Sequence, residues 1–555
     1  LATSSEESKA RWAKLAKAPV DSSNSAALPV VRAALLDFIA DFANWDNSTV
    51  KEYLETSRAL TQAAHEALGG APGTRPLVVD PFAGGGAIPL ESLRVGADAF
   101  ASDLNPVAVL LNKVVLEYIP KYGQRLADEL RKWGGWIKKE AEKDLADFYP
   151  KGPDGATPIA YLWARTVKCQ GPGCGAVVPL FRSPWLAKKG KRAITLRLLA
   201  DAKNKGISFE VIESPRHEHI STGTVRRGSA TCPVCGYTTG VADVRKQMQS
   251  RRGGADDARL MAVVAVRSSQ QGRVYRLPSK ADLAAAAAAE AEIESVRKAV
   301  DSVSGLSIVP NELIPFMSGV FNVPLYGHNA WNTLFSPRQT LALVGIFRKI
   351  QEAIQRLSLD NPAEFATAVG VMLGLAFDRQ VDFTSALCSW WAGGEKIQHT
   401  FGRQALPMIW DFAECNPFSD STGCWQGAFE WGAKVCEHGA ESLERPGQAV
   451  IASATTHPLP DDSAQCLVTD PPYYNAVPYA DLSDFFFVWL RRLLGARIPD
   501  FDAPESPKTE ECCEMAGWDS KRYPEKDGKW FERKMAGAMR EARRVLAPDG
   551  IATVV

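Results

Sequence analysis

The sequence predicts an α/β protein whose mainly parallel, doubly wound sheet is divided by a long insertion. Strand–turn–helix patterns of the kind that build parallel sheets occur at residues 77–112 and return after residue 445. The segment between them differs in composition and begins with a large excess of basic residues. With 555 residues, 46% apolar and 23% charged, the chain has ordinary globular composition and room for several domains. A fibrous or wholly disordered protein is therefore excluded.

Residues 1–150 are predicted to form the first half of the sheet domain. A short apolar strand at residues 77–79 runs into a glycine-rich turn, and a helix begins near Ala87. A second strand at residues 99–102 ends in Asp103 and is followed by another helix. Parallel strands need helical crossovers of this kind, so these elements predict a βαβ unit.

The rest of the chain is divided into three segments. Residues 151–280 form a basic insertion with two cysteine pairs and carry 23 basic but only 8 acidic side chains, although the whole chain has 64 of each. Residues 281–445 are predicted to be mainly helical, and we consider them a candidate target-recognition region. Residues 446–555 return to strand-and-turn patterns in QAVIAS, QCLVT and IATVV, so they supply strands three to five.

The glycine-rich turn DPFAGGG, residues 80–86, follows the carboxyl end of the first predicted strand. Glycines let a backbone approach a ligand closely, and the next helix presents free N–H groups to an anion such as a carboxylate. Asp103 ends the second strand, where an acidic side chain accepts hydrogen bonds from ribose hydroxyls. No Gly-Lys-Ser/Thr follows, which excludes a P-loop, and the glycine spacing differs from the dinucleotide fingerprint. A nucleoside with a carboxylate tail fits best; a simple tight turn is the alternative.

A second turn, VTDPPYYN at residues 468–475, follows a buried strand. Its two prolines fix the backbone and remove two N–H donors, so the turn presents carbonyl acceptors and the Asp470 carboxylate. An amino group on an aromatic ring needs two such acceptors to orient its lone pair toward an electrophilic methyl group. Tyr473 offers a face on which a base can stack. The two turns together predict methyl transfer to an aromatic amine.

Two cysteine pairs predict a metal site in the basic insertion. Cys169 and Cys174 form a C-x4-C pair, and Cys232 and Cys235 form a C-x2-C pair. Four thiolates in glycine-containing turns suit tetrahedral zinc, and four protein ligands leave no open position, so this zinc would be structural. His217 and His219 lie between the pairs and are predicted to be surface residues, although either could replace a ligand. The other cysteines show no ligand spacing.

Basic residues around these cysteines are candidate phosphate contacts. The residues we single out as nucleic-acid contacts are Lys188, Lys189, Lys191, Arg192, Arg226 and Arg227. An odd number of cysteines, 11, favours reduced thiols and a cytoplasmic location. No run of 18 apolar residues is present, and the N-terminus lacks the apolar segment of a signal peptide, so we expect no membrane association.

These motifs resemble those of the adenine-specific DNA methylase family that carries a zinc ribbon and an N-terminal domain of unknown function. The similarity extends over YGHNAWNTLFSPRQTLAL at 326–343, HTFGRQALPMIWDFAECNPF at 399–418 and VPYADLSDFFFVWLRR at 477–492. It implies a Rossmann-like methyltransferase fold that uses S-adenosylmethionine. By position it implies a cofactor site and a catalytic turn, formed respectively by Asp80, Phe82, Gly84, Gly86 and Asp103, and by Asp470, Pro471, Pro472 and Tyr473.

The function that the resemblance implies is methylation of an exocyclic amine in duplex DNA, at adenine N6, with the target base flipped out of the helix. It also implies phage defence or restriction–modification, with an ATPase, helicase or nuclease as partner. Methylation of an amine in an RNA base is an alternative, since similar turns occur in RNA methyltransferases. A non-catalytic nucleic-acid-binding subunit of a defence complex is another, because the family's Trp-Trp-Ala-Arg-Arg-Pro stretch is absent here.

Overall fold

The computed structural model describes residues 6–17, 28–267 and 270–555; the first five residues of the N-terminal stretch lie outside these ranges. The α-helices of the described residues, in chain order, are α1 (Glu6–Lys17), α2 (Leu28–Phe42), α3 (Lys51–Ala67), α4 (Ala87–Arg94), α5 (Pro106–Asn112), α6 (Ile119–Tyr122), α7 (Gln124–Asp144), α8 (Val241–Gln249), α9 (Lys280–Lys298), α10 (Pro337–Asp360), α11 (Ala363–Asp382), α12 (Trp425–Ser442), α13 (Tyr479–Leu494) and α14 (Gly528–Val545). A π-helical segment, Lys113–Tyr118, joins α5 to α6. Short 3-10 turns lie at Trp45–Asn47, Ala146–Phe148, His217–His219, Val323–Tyr326, Trp331–Leu334 and Pro499–Phe501.

The strands of the described residues are numbered in the same way. They are β1 (Leu77–Asp80), β2 (Asp98–Asp103), β3 (Thr157–Ala164), β4 (Thr166–Lys168), β5 (Val177–Pro179), β6 (Trp185–Lys189), β7 (Arg192–Asp201), β8 (Gly206–Glu213), β9 (Val225–Arg226), β10 (Ser229–Thr231), β11 (Thr238–Thr239), β12 (Arg259–Arg267), β13 (Gln270–Arg276), β14 (Ser389–Trp391), β15 (Lys396–Gln398), β16 (Asp411–Cys415), β17 (Gln448–Ile451), β18 (Ala464–Thr469) and β19 (Leu546–Val554).

The predicted parallel sheet is confirmed. Five strands pair in the order β17-β2-β1-β18-β19, and every pairing in this sheet is parallel. The first two strands precede the insertion and the other three follow it, as the sequence patterns predict. The pairing of β18 with β19 is irregular at its start, where it moves from Ala464↔Leu546 to Cys466↔Ile551. The chain is therefore a mixed α/β protein.

The order of the strands reverses between β1 and β18. Strands β2 and β17 lie on one side of β1, and strands β18 and β19 lie on the other side. The loops that follow the two central strands diverge at such a switch point and leave a crevice at the carboxyl edge of the sheet. The glycine-rich turn follows β1, and the Asp-Pro-Pro-Tyr turn follows β18, so the topology places both at this crevice.

A second sheet joins the two inserted segments. Its strands pair antiparallel in the order β13-β12-β3-β16, so strands from residues 151–280 pair with a strand from the predicted helical segment. A buried ion pair between Arg338 and Glu414 ties the start of α10 to β16. The predicted boundary between residues 280 and 281 therefore runs between strands of one sheet. Three small antiparallel sheets, β4-β5, β6-β7-β8 and β9-β10-β11, complete the basic segment.

The largest hydrophobic core lies among the helices. Apolar faces of α7, α10, α11, α12 and α13 meet there, and the interior includes Phe347, Phe377 and Trp489. The FFFVWL stretch of α13 contributes to this core: Phe485, Phe487 and Trp489 are at most 1% exposed. No helix among the described residues has the length and apolar character needed to cross a bilayer.

Candidate functional site

The two turns at the switch point border one cavity of about 400 Å³. Its wall includes Phe82 and Gly84 from the first turn and Asp103 from the end of β2. The whole second turn also contributes, through Asp470, Pro471, Pro472 and Tyr473. Small-molecule sites commonly have volumes of about 300–1,000 Å³, so this crevice can hold a nucleoside-sized ligand.

The glycine-rich turn is shaped by two backbone positions that disfavour side chains. Gly84 and Gly86 have φ of +50° and +84°, in the left-handed region that glycine adopts without strain. A Cβ on Gly86 would lie 2.6 Å from Oδ1 of Asn112, so this buried glycine also allows α5 to pack closely. The Asn112 amide donates to the carbonyl of Gly84, which holds the turn against α5.

Asp80 lies behind the cavity wall and connects the two central strands. Its carboxylate accepts hydrogen bonds from the Thr469 hydroxyl, at 2.7 Å, and from the backbone N–H of Phe82, at 3.1 Å. Because Thr469 immediately precedes Asp470, this bond fixes one turn relative to the other. Burial of the carboxyl, which is 2% exposed, raises its pKa to about 6, although both hydrogen bonds oppose that rise.

Asp103 lies at the cavity wall at the end of β2. Its two carboxylate oxygens accept backbone N–H groups of Gly84, at 2.9 Å, and Asn105, at 2.8 Å, so the carboxylate is held in one orientation. Each oxygen has a further lone pair that a ligand hydroxyl can use. The Asn105 side chain caps α5 and donates to the hydroxyl of Ser483, which fixes this edge of the cavity to α13.

The Asp-Pro-Pro-Tyr turn is more exposed than the glycine-rich turn. Asp470 and Tyr473 both face solvent at the mouth of the cavity, and the nearby carboxylate raises the pKa of the Tyr473 hydroxyl. Tyr474 has φ of +48° and packs its ring on Phe531 of α14, so it supports the turn from outside. The carbonyl of Tyr474 also accepts the N–H of Glu514. The turn is thus braced by the segment that follows α13.

Glu511 is a cavity residue that the sequence motifs did not indicate. One carboxyl oxygen accepts the backbone N–H of Ala480 in the first turn of α13, and the other is buried without a partner. Burial raises the pKa of Glu511 to about 8. The Ala480 contact joins residues 31 positions apart in sequence, so no local pattern could have found Glu511. Tyr479 and Ser483 line the same cavity.

The cavity is acidic. The Asp103 and Asp470 carboxylates line it, and Glu511 adds a carboxyl group that its raised pKa of about 8 leaves mostly uncharged at neutral pH. The lining in the described chain contains no Lys, Arg or His. Carboxyl groups in a partly desolvated crevice attract cations and repel phosphates. The electrostatics therefore favour a positively charged ligand over a nucleoside phosphate or a dinucleotide.

The four predicted metal ligands come together in the basic segment. The sulfurs of Cys169, Cys174, Cys232 and Cys235 all lie within 4.8 Å of one another. Two of the sulfur–sulfur distances are 3.5 and 3.9 Å. A zinc–sulfur bond of about 2.3 Å gives tetrahedron edges of about 3.8 Å, so the cluster could bind a metal ion and is compatible with structural zinc. The cluster consists of the four cysteines; His219 instead accepts the N–H of Arg216.

The predicted nucleic-acid residues lie at two places. Arg226 and Arg227 line a cavity of about 530 Å³ together with Arg182 and Arg245, and no acidic residue lines it in the described chain. The other four residues are at the β6–β7 hairpin, where the side chains of Lys188, Lys189 and Lys191 are exposed.

Arg192 differs from its neighbours on that hairpin. It lies 3.1 Å from the carboxylate of Glu395 and also donates to the carbonyl of Arg273. Its guanidinium lies over the ring of Tyr275, 5.8 Å from the centroid. Arg192 is therefore committed to contacts within the protein, whereas the three lysines are not ion-paired among the described residues.

No family model, curated protein or solved structure matches this chain. The structure brings Phe82, Gly84 and Asp103 together with the second turn around one cavity, while Asp80 and Gly86 are buried and shape the first turn from behind. The interpretation therefore depends on the geometry and chemistry of the crevice itself.

Proposed function

We propose that the protein is an S-adenosylmethionine-dependent methyltransferase of the Rossmann-like fold that methylates an exocyclic amine in DNA, at adenine N6. One observation carries the proposal: the glycine-rich turn and the Asp-Pro-Pro-Tyr turn border the same acidic crevice at the switch point of a parallel sheet. The resemblance to the zinc-ribbon adenine-specific DNA methylases agrees with this assignment. The activity itself is our proposal.

The residues of the crevice fit the methyl donor. When bound, S-adenosylmethionine supplies a methyl group on a positively charged sulfonium, and carboxyl groups around the cavity favour such a cation. The Asp103 carboxylate, held by the N–H groups of Gly84 and Asn105, can accept the ribose hydroxyls. The absence of basic residues from the described lining argues against a phosphate-bearing cofactor.

The second turn would position the amine. The Asp470 carboxylate and a proline carbonyl of the turn accept the two N–H groups, which directs the nitrogen lone pair into the cavity. As the nitrogen–carbon bond formed and the donor's sulfur–methyl bond broke to leave a neutral thioether, the amine would become cationic. The exposed Asp470 carboxylate could accept the proton that it releases and pass it to water. Tyr473, 57% exposed, offers a ring on which the base can stack. Alignment of this kind is the main work of the site.

The basic surfaces support a nucleic-acid substrate. Four arginines line one cavity, and three lysines that form no ion pair with the described residues lie exposed on the β6–β7 hairpin. Phosphate contacts of this kind position a polymer without selecting its sequence. The four-cysteine cluster, as structural zinc, would hold β10 in place, and β10 pairs with β9, which carries Arg226. Reduced cysteines favour the cytoplasm, and we propose a defence-system ATPase, helicase or nuclease as partner.

The test uses a labelled methyl donor with duplex DNA and structured RNA, followed by nucleoside analysis. We expect label in adenine of DNA and none in RNA. Asp470→Ala should reduce transfer by at least about 100-fold, because a group that acts in the transition state is lost, while DNA binding persists. Asp502→Ala, at an exposed position outside the crevice, is the control and should match the wild type. Label in RNA alone would reassign the substrate, and unchanged turnover of Asp470→Ala would remove Asp470 from its role.

A further inference from the structure

A second cavity, of about 420 Å³, lies between the β6–β7 hairpin and the β14–β15 hairpin, and it is walled by aromatic rings. Trp185 comes from β6, and Trp390 and Trp391 come from β14. Trp391 is 47% exposed, an unusual degree for a tryptophan at the edge of a cavity. This aromatic cavity is formed by residues of two segments that the sequence assigns to different domains.

The rings of the aromatic cavity are held in place by backbone contacts between the hairpins. The Trp390 indole N–H donates to the carbonyl of Leu186 at 2.7 Å, and the N–H of Lys188 donates to the carbonyl of Ala392 at 3.0 Å. A Cβ on Gly394 would lie only 2.3 Å from the Trp391 ring, so this glycine leaves room for the indole. The cavity is therefore preorganised, which lowers the entropy cost of binding a ligand there.

Positive charge surrounds the mouth of the aromatic cavity. The ammonium of Lys188 lies 5.0 Å from the Trp185 ring centroid, and that of Lys396 lies 5.4 Å from the Trp391 centroid. Lys189 and Lys191 extend from the same hairpin as Lys188 and are exposed. Amines beside exposed aromatic rings suit a ligand that combines an aromatic face with an anionic group.

The depth of the aromatic cavity offers a polar group. Asp411 of β16 lines it, and its carboxylate accepts the backbone N–H of Arg182. Burial raises the pKa of Asp411 to about 7. A carboxyl that is partly protonated near neutral pH can both donate and accept a hydrogen bond, as the polar edge of a nucleobase requires.

We infer that the aromatic cavity binds an unstacked nucleobase of a single-stranded segment, with the neighbouring phosphates on Lys188, Lys189 and Lys191. This inference depends on the proposed nucleic-acid substrate, and it adds a site separate from the catalytic crevice. The base stacks on Trp391, and its polar edge faces Asp411. Strand separation around a flipped target base would supply such a segment. The lysines at the rim argue against a cationic ligand such as a methylated amine.

The experiment measures binding of the full chain to two fluorescent probes by anisotropy, without a methyl donor. One probe is a short oligothymidylate, and the other has the same phosphodiester backbone with abasic sugars. Trp391→Ala should weaken binding of oligothymidylate by roughly 5- to 150-fold, the range for loss of one stacked base, and leave the abasic probe unaffected. Trp391→Phe, which restores an aromatic face, should recover most of the affinity.

Trp431→Ala is the matched control. Trp431 is 61% exposed on α12 and, like Trp391, lies beside a cationic side chain, that of Arg379. This variant should bind both probes as the wild type does. An equal loss on both probes, or no loss on either, would overturn the inference. Binding of tetramethylammonium that Trp391→Ala abolishes and that oligothymidylate does not displace would also overturn the inference, because it would identify a cation site.

The inference and the proposed function fail differently. If the wild type transfers methyl groups and Trp391→Ala binds oligothymidylate as the wild type does, the enzyme assignment stands and the base site is wrong. If Trp391→Ala loses affinity for oligothymidylate alone but the wild type transfers no methyl group, the base site stands and the enzyme assignment is wrong.

Discussion

Glu511→Gln tests whether the buried carboxyl at the cavity wall is neutral in the folded protein. One oxygen accepts the N–H of Ala480, and the other has no partner. Burial, with smaller contributions from the Asp481 and Asp103 carboxylates, raises the pKa of Glu511 from 4.5 to about 8, while the Ala480 hydrogen bond and the Lys526 ammonium oppose the rise. Glutamine preserves the acceptor for Ala480 and cannot ionise, so the substitution isolates the titration.

The direction of the effect follows from the raised pKa. In the folded protein Glu511 keeps a proton that the unfolded chain loses above about pH 4.5. The contribution of Glu511 to the free energy of unfolding is therefore complete below pH 4.5 and is lost as the pH rises toward about 8. One pKa unit corresponds to about 1.4 kcal/mol, which gives a loss of about 2–3 kcal/mol between pH 6 and pH 9. The glutamine variant should lack this part of the decline.

Urea unfolding of both proteins at pH 6 and pH 9 measures the difference. We expect the free energy of unfolding to fall by about 2–3 kcal/mol less in Glu511→Gln than in the wild type. Glu510→Gln is the control, because Glu510 is exposed and pairs with Lys534 at the surface; its pH dependence should follow the wild type. Parallel declines in all three proteins would show that Glu511 ionises normally and would refute the reasoning.

Two further predictions concern the crevice and the cysteine cluster. Gly86→Ala should lower the free energy of unfolding by about 1–3 kcal/mol, because φ at this position is +84° and the new Cβ would meet the Asn112 side chain. Gly85→Ala is the control and should be nearly neutral in the same urea titration, because a Cβ there has no atom within 4 Å. Cys232→Ser should abolish zinc binding, measured by atomic emission, and lower the melting temperature. Cys466→Ser, which lies outside the cluster, is the control and should retain the metal. Full zinc content in Cys232→Ser would rule out the zinc ribbon.

Much of the fold could be predicted because its signals are local. Apolar runs at residues 77–79 and 99–102 and a helix start at Ala87 correspond to β1, β2 and α4. Glycine and proline act through their own backbone restrictions, so the two turns were visible without knowledge of their neighbours. The C-x4-C and C-x2-C spacings likewise led to the sulfur cluster that the fold assembles.

The remaining features depend on residues far apart in the chain. Glu511 reaches the crevice only because the segment after α13 folds back onto Ala480, and the Trp390 indole meets Leu186 across 204 positions. The pairing of β3 with β16 crosses a predicted domain boundary in the same way. Burial, which determines the pKa of both Asp80 and Glu511, is a property of the packed surroundings.

The amino-acid sequence by itself determined the parallel α/β architecture, the two turns and the two cysteine pairs, because each depends on residues close together in the chain. Only the tertiary structure decided that both turns border one acidic crevice, that Arg192 pairs with Glu395, and that four tryptophans line the aromatic cavity. The physical reason is that backbone preferences act over a few residues, whereas charge, burial and cavity shape arise from contacts between distant segments.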